Sequence, residues 1–198
     1  MITFTNLCKD EPYQIFKEKY DEAYNAGQTN IEAVSISSFN KEDEEVDSRF
    51  VNLKFVENEK FIFFTNYNSP KSIAFKSHNQ ISALFFWHST NNQVRLKAKI
   101  KKTSIKYNQN YFKNRLPKKN ALAICSRQSQ PTSSYDNFMK IYNKAYRNMD
   151  LAECPDYWGG YLFIPYYFEF WEGHESRINK RLVFTKKDTN WEKLIIQP

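Results

Sequence analysis

Trp171, Arg177, Asn179 and Arg181 stand close together near the C-terminal end of this 198-residue chain. If residues 177–185 form a strand, period-two alternation puts Arg177, Asn179 and Arg181 on one face. Guanidinium groups donate in a rigid fork that matches phosphate or carboxylate, and an indole such as that of Trp171 can wall a flat ring. Spacing alone favours a plainer arrangement, a half-buried hairpin whose cations face water. The chain holds only four glycines, and Gly159, Gly160 and Gly173 fall in this same stretch. P-loops and dinucleotide fingerprints need several glycines so that backbone N–H groups can cradle phosphate. This chain builds neither, so any phosphate it binds must be held by Arg and Lys side chains.

A second set lies upstream in a fixed order. Arg49, Phe50, Val51, Asn52, Leu53 and Lys54 open one expected strand, and Phe63, Phe64, Thr65 and Asn66 close the next, followed by Ser69, Pro70 and Lys71. Gln93 and Arg95, then Tyr111 and Arg115, then Ser126, Arg127, Gln128 and Ser129 come after them. With Trp158-Gly159-Gly160 and Glu169-Phe170-Trp171-Glu172-Gly173, this ordered series resembles the pyridoxamine 5'-phosphate oxidase family of FMN flavoproteins, from residue 31 to 198. The resemblance implies a split β-barrel and a homodimer that builds each flavin site from both subunits. It assigns FMN to Arg49, Phe50, Val51, Asn52, Lys54, Phe64, Thr65, Lys71, Gln93, Gln128, Ser129, Trp171 and Arg181. It assigns the phosphate of a B6 substrate to Lys54, Tyr111, Arg115 and Lys119, and the substrate ring to Arg177 and Asn179 as the catalytic pair.

The implied reaction oxidises the 4'-alcohol or 4'-amine of pyridoxine or pyridoxamine 5'-phosphate to the aldehyde. Hydride passes to the flavin, and O2 reoxidises it with release of H2O2. Three positions depart from the family pattern. Pro70 replaces an arginine, which removes one phosphate ligand; Lys119 replaces a serine; Asn179 replaces a histidine. Lysine still holds phosphate as a point charge, whereas asparagine hydrogen-bonds without titrating near neutral pH. These departures leave room for an FMN oxidase acting on another reduced ring, as phenazine-pathway oxidases of this fold do, or for a flavin-binding protein without B6 turnover.

The net charge of +7 arises from 29 basic and 22 acidic residues scattered along the chain. It is not gathered into the tail or stripe expected of a nucleic-acid binder, so small anionic ligands and O2 are the expected partners. Cys8, Cys125 and Cys154 are far apart and form no CxxC pair, which argues against a disulfide framework or zinc site and for a reducing cytoplasm. The N-terminus lacks the pattern of a signal peptide, and no apolar run reaches the ~18 residues of a membrane span, so neither export nor a membrane is expected. His78, His88 and His174 are dispersed, with no HExxH spacing, and no Gly-x-Ser-x-Gly elbow occurs. Cys125, beside the Gln-Ser loop, reads as a packed thiol and His174 as an exposed turn residue.

The hydrophobic pattern predicts one domain over 1–198, mainly β and antiparallel with peripheral helices, its first part a helical arm over 1–30. A helix over 10–26 is expected to be capped by Asp10, with Ile15, Phe16, Lys19, Tyr20, Ala23 and Tyr24 along its inner stripe. Strands are expected at 31–39, 50–56, 60–65, 81–88, 93–103, 161–171, 177–185 and 191–196, and the acidic run 41–47 is expected to be a loop. Helices are expected at 70–78, 104–114, 118–126 and 134–148. In the strand over 93–103, Val94, Leu96, Ala98 and Ile100 face one way and Arg95, Lys97, Lys99 and Lys101 the other, the pattern of a sheet with one wet face.

Overall fold

The computed structural model describes Met1–Pro198. Its elements run β1 (Thr3–Thr5), α1 (Glu11–Asn25), β2 (Ala33–Asn40), β3 (Glu45–Asn52), β4 (Phe55–Glu57), β5 (Lys60–Asn66), α2 (Pro70–Ser77) and β6 (Gln80–Trp87). They continue with β7 (Asn92–Lys102), α3 (Ile105–Lys113), α4 (Pro117–Cys125), α5 (Tyr135–Asn148), β8 (Trp158–Glu172), β9 (Lys180–Lys187) and β10 (Asn190–Ile195). Ten strands form one sheet in the order β1-β4-β5-β8-β7-β6-β2-β3, with β9 branching from β8 and β10 from β9. All pairings are antiparallel except β1 with β4. No ladder closes the sheet, so the expected barrel is met as an open, mainly antiparallel sheet.

The branch has a local cause. Along one edge β8 pairs with β7 over Tyr161 to Glu172; along the other it pairs first with β5, over Trp158 to Phe163, and then with β9, over Tyr167 to Glu172. The register on β7 slips between Lys97 and Ala98, leaving one extra residue in β8 beside Pro165. Proline donates no ladder hydrogen bond, and a bulge bends its strand. At that bend β8 leaves β5 and takes up β9, which separates two regions of the surface.

The alternation in β7 is as expected: Val94, Leu96, Ala98 and Ile100 are buried, while Arg95, Lys97, Lys99 and Lys101 are exposed. Helix α1 packs Tyr13, Phe16, Tyr20 and Ala23 into the core, where Phe16 meets Phe61 and Phe85 edge-on at ring separations of 5.0 and 5.2 Å. Truncating such a ring to alanine costs about 3–5 kcal/mol. Tyr13 takes the inner position expected for Tyr24, which faces solvent, because the helix is rotated to seat Tyr13 against Phe168. Asp10 precedes the helix but its side chain does not cap it; Oδ2 accepts from Trp191 Nε1 at 2.9 Å, tying the helix to β10.

Three further boundaries differ from expectation. The acidic run is a turn only as far as Glu44, and β3 begins at Glu45 because its pairing with β2 extends to Asn40. The expected strand over 50–56 is two strands. Its first part follows β2 as far as Asn52, after which the chain changes partners and Phe55 pairs with Ile62 of β5. Lys54 therefore lies at a junction between two arms of the sheet. The last discrepancy bears on the site: β9 starts at Lys180, so Arg177 and Asn179 lie in the preceding turn and not on a strand face with Arg181.

Candidate active site

The paired glycines at the start of β8 hold a helix, not a phosphate. A Cβ on Gly159 would collide with the Asn108 side chain and the Tyr67 hydroxyl, and one on Gly160 would lie 2.6 Å from Thr103 Oγ1. Their absence lets α3 sit directly on the strand, where Gly160 N donates to Asn108 Oδ1 at 2.9 Å. Ser104 fixes the start of α3 by accepting from Tyr107 N. The helix thereby lays Tyr111 flat on Phe64, with ring centroids 3.7 Å apart, and Trp158 continues the stack at 5.4 Å from Phe64.

Beside these rings opens a cleft of about 550 Å3. It collects eleven of the residues singled out in the sequence: Phe50, Val51, Asn52, Lys54, Phe64, Thr65, Lys71, Tyr111, Arg115, Lys119 and Gln128. Asn114, Leu116 and Leu122 complete the lining, and no carboxylate is among the lining residues. Arg115 follows α3, lies over the Trp158 ring at 4.8 Å and donates to the Lys119 carbonyl at 2.7 Å. Gln128 Oε1 accepts from Thr65 Oγ1 at 3.4 Å, which brings the loop after α4 to the strand β5.

Lys71 is the most telling charge here. It is 7% exposed, and its Nζ donates only to Thr65 Oγ1 and Ser69 Oγ, each at 3.1 Å. Burial, reinforced by the neighbouring Arg49 charge, pulls its ammonium down to about 8. Arg49 sits behind it, donating to Ser38 Oγ at 2.7 Å and facing Asp47 at 3.5 Å. Burial likewise lowers Lys54, with the charges of Lys119 and Arg115 adding to the effect against a distant pairing with Glu32 at 3.8 Å. A buried cation without an acidic partner is costly, and a bound anion removes that cost. Thus the cleft suits a dianion beside a flat ring.

The remaining predicted residues gather elsewhere. Gln93, Trp171 and Arg181 are directly opposite one another across β7, β8 and β9 and form one row on the outer face. Trp171, Asn179 and Arg181 line a second cleft of about 670 Å3 with Phe170, Leu182 and Ile195. It shares no residue with the first. Arg181 is engaged, its Nε and Nη2 donating to Glu169 Oε1 at 2.9 and 2.7 Å. Asn179 turns its Oδ1 into the loop to accept from His174 N at 3.0 Å, closing the turn that holds Arg177 at a φ of 60°. Arg177 and Ser129 line neither cleft. His174 is an exposed turn residue, as expected.

The residue that sequence reasoning missed is Glu169. It reads there as part of a motif, and nothing local reveals that two arginines distant in sequence converge on it. Asn108 was missed for the same reason; the neighbouring glycine pair was its only signal.

Comparison with known proteins gives the family and the fold. Residues 158–198, covering β8 to β10, match a family model described as the pyridoxine 5'-phosphate oxidase C-terminal dimerisation region. The pyridoxine/pyridoxamine 5'-phosphate oxidase of Colwellia psychrerythraea is 35% identical over 183 residues, covering 91% of this chain and 83% of that protein. This chain belongs to the pyridoxine/pyridoxamine 5'-phosphate oxidase family. A member from Leptospira interrogans is 32% identical over 194 residues, with 95% of this chain and 89% of that protein covered. In fold, the chain is similar to PhzG of Burkholderia lata, solved with tetrahydrophenazine-1-carboxylic acid, at a TM-score of 0.87 and 20% identity over 96% of this chain and 93% of that one. An FMN-binding protein related to pyridoxamine 5'-phosphate oxidase from Nostoc punctiforme gives 0.75 and 12% identity, over 92% and 97%. Membership makes the chain an enzyme of the flavin oxidase type. No helix is long and apolar enough to cross a membrane.

Proposed function

We propose that this protein is an FMN-dependent oxidase that converts pyridoxamine or pyridoxine 5'-phosphate to pyridoxal 5'-phosphate, with O2 as acceptor and H2O2 as product. The observation that carries the reading is the cleft without carboxylates, in which Lys71 is buried with hydroxyl partners alone while Tyr111 and Phe64 form a stacked aromatic wall. Lys71, Thr65 and Gln128, backed by Arg49, would hold the flavin phosphate. Lys54, Arg115 and Lys119 would hold the substrate phosphate, with Tyr111 donating its hydroxyl; burial raises that phenol's pKa, so it stays protonated. FMN, when bound, supplies the redox chemistry. The protein's part is to fix both phosphates, align the rings and exclude water.

The division between the two clefts, with the match of residues 158–198 to a dimerisation region, supports a homodimer. Phe50, Leu84 and Phe86 are 76%, 37% and 50% exposed on the outer face that also carries Gln93, Trp171 and Arg181. A second copy packed on the apolar part of this face, formed by Phe50, Leu84 and Phe86, would bring its own Trp171 and Arg181 to the first cleft, and Arg177 with them. We read the open sheet as the split form of the barrel, and the three unpaired cysteines as fitting a reducing cytoplasm.

A second reading, an oxidase of another reduced ring, gains support from Asn179, whose carboxamide oxygen is used within its own loop, and from the extra cation at Lys119. One experiment separates the two. Purified protein is examined for a flavin spectrum, then mixed anaerobically with pyridoxamine 5'-phosphate. The expected result is loss of the oxidised flavin band, restored by O2. A flavin that no B6 phosphate reduces favours the second reading, and a chain that neither carries nor binds FMN overturns both.

A further inference from the structure

Glu169 lies on the outward-facing side of β8, yet it is only 1% exposed. Three side chains cover it. Arg181 donates Nε and Nη2 to Oε1 at 2.9 and 2.7 Å, Arg95 Nη1 lies 3.3 Å from Oε1 and 3.2 Å from Oε2, and the Tyr167 hydroxyl donates to Oε2 at 2.9 Å. Burial alone would push this carboxyl up, but the hydrogen bonds from Arg181 and Tyr167 and the two positive charges outweigh it and hold the group below its ordinary value. The carboxylate is therefore ionised, and every oxygen is occupied.

The two arginines are held differently. Arg95 is half exposed and touches Glu169 with one nitrogen, whereas Arg181 is gripped by two and also donates Nη1 to the Gln197 carbonyl at 3.1 Å. A guanidinium has five N–H groups. Three of those on Arg181 are thus committed and two remain free, on a residue that is the cross-strand neighbour of Trp171. Its charge is also partly offset by a carboxylate in direct contact, which it shares with Arg95. Lys71 presents the opposite case, a buried cation with no acid near it.

We propose that Glu169 is a positioning residue that locks Arg181 beside Trp171, so that this pair serves the neutral, polar edge of the flavin ring while the phosphate is held at Lys71. This inference rests on the FMN reading above. It assigns Arg181 a different task from the phosphate binding that its residue type suggests, because a guanidinium already sharing a carboxylate and left with two free donors is a poorer match for a dianion than buried, acid-free Lys71 and a good one for ring carbonyl and nitrogen acceptors.

The test compares FMN with riboflavin, which has the ring but no phosphate, by fluorescence quenching on the flavin-free full-length protein. Glu169→Gln should weaken both ligands by the same factor, roughly ten-fold, as expected for one charge-assisted hydrogen bond. Arg181→Ala should do likewise. The double variant should lose no more than Arg181→Ala alone, because Glu169 acts only through Arg181. Arg95→Gln should stay within about two-fold of wild type, and Lys71→Met should weaken FMN while leaving riboflavin unchanged. Should Glu169→Gln fail to fold, Glu169→Asp keeps the charge, shortens its reach and carries the same comparison. Losses that multiply in the double variant, or an Arg181→Ala defect confined to FMN, would overturn the inference. So would a Glu169 variant indistinguishable from wild type while wild type binds FMN. Wild type that binds neither ligand defeats the FMN reading itself, and this inference with it.

Discussion

Replacing Lys71 by methionine should stabilise the ligand-free protein and weaken its hold on FMN at the same time. The ammonium is 7% exposed and has two hydroxyl oxygens for company but no carboxylate. Burial, with the Arg49 charge second, brings it from 10.5 down to about 8. At about 1.4 kcal/mol per unit, carrying that proton at pH 7 costs the folded state about 3 kcal/mol relative to the unfolded chain. The sign follows from proton counting. Between about pH 8 and 10.5 the unfolded chain holds more protons, so the ligand-free protein gains stability as pH rises through that window, and below it the full penalty applies. Methionine is of similar length and removes the charge. With roughly 2–4 °C of Tm per kcal/mol for a chain of this size, relief of even half the cost raises Tm by several degrees at pH 7. A phosphate seated against Nζ supplies the missing counter-charge, so FMN affinity should be highest below pH 8 and decline above it. Lys71→Met should lose roughly 10–100-fold in FMN affinity, equivalent to about 1.5–3 kcal/mol for a hydrogen bond to a charged group. Differential scanning fluorimetry at pH 7 and 10, with fluorescence titration of FMN, reads both effects. A ligand-free variant that melts below wild type, or one that binds FMN equally well, would refute the reasoning.

Arg115→Lys should raise KM for pyridoxamine 5'-phosphate roughly ten-fold with little change in kcat, since lysine cannot both stack on Trp158 and brace the Lys119 carbonyl; steady-state peroxide release measures the split. Gly160→Ala should destabilise the fold by about 1–3 kcal/mol in denaturant titration, because the new methyl meets Thr103 at 2.6 Å and the Phe64 ring at 3.2 Å. Phe86→Glu should yield a monomer with poor flavin retention in sedimentation, and a stable dimer at micromolar concentration would count against the proposed interface. Asn179→Asp keeps the acceptor for His174 N and should hold kcat within about two-fold, while Asn179→Leu should lower it about ten-fold without altering FMN affinity.

Much of the fold and part of the site were legible in residue order. Alternation in β7 marked its buried and wet faces because side-chain direction in a strand follows directly from sequence parity. The scarcity of glycine argued from sequence alone against a glycine-loop phosphate cradle, because such a loop needs several residues without a Cβ. Most of the basic and aromatic residues expected in the first cleft do line it, because strand ends and helix starts fix their positions locally. What sequence could not determine were features made by partners distant along the chain. The break after Asn52 arises because β3 and β4 pair with different strands, a choice made by the sheet and not by residues 53–54. Arg177 and Asn179 alternate with Arg181 on paper, yet the hydrogen bond from His174 N holds them in a turn. Residue type marked Arg181 as a phosphate ligand, but folding brings a buried carboxylate from β8 against it and so changes what its charge can do. Local periodicity is a property of the chain alone, whereas the field around a charge is the sum over every group that tertiary packing brings near it.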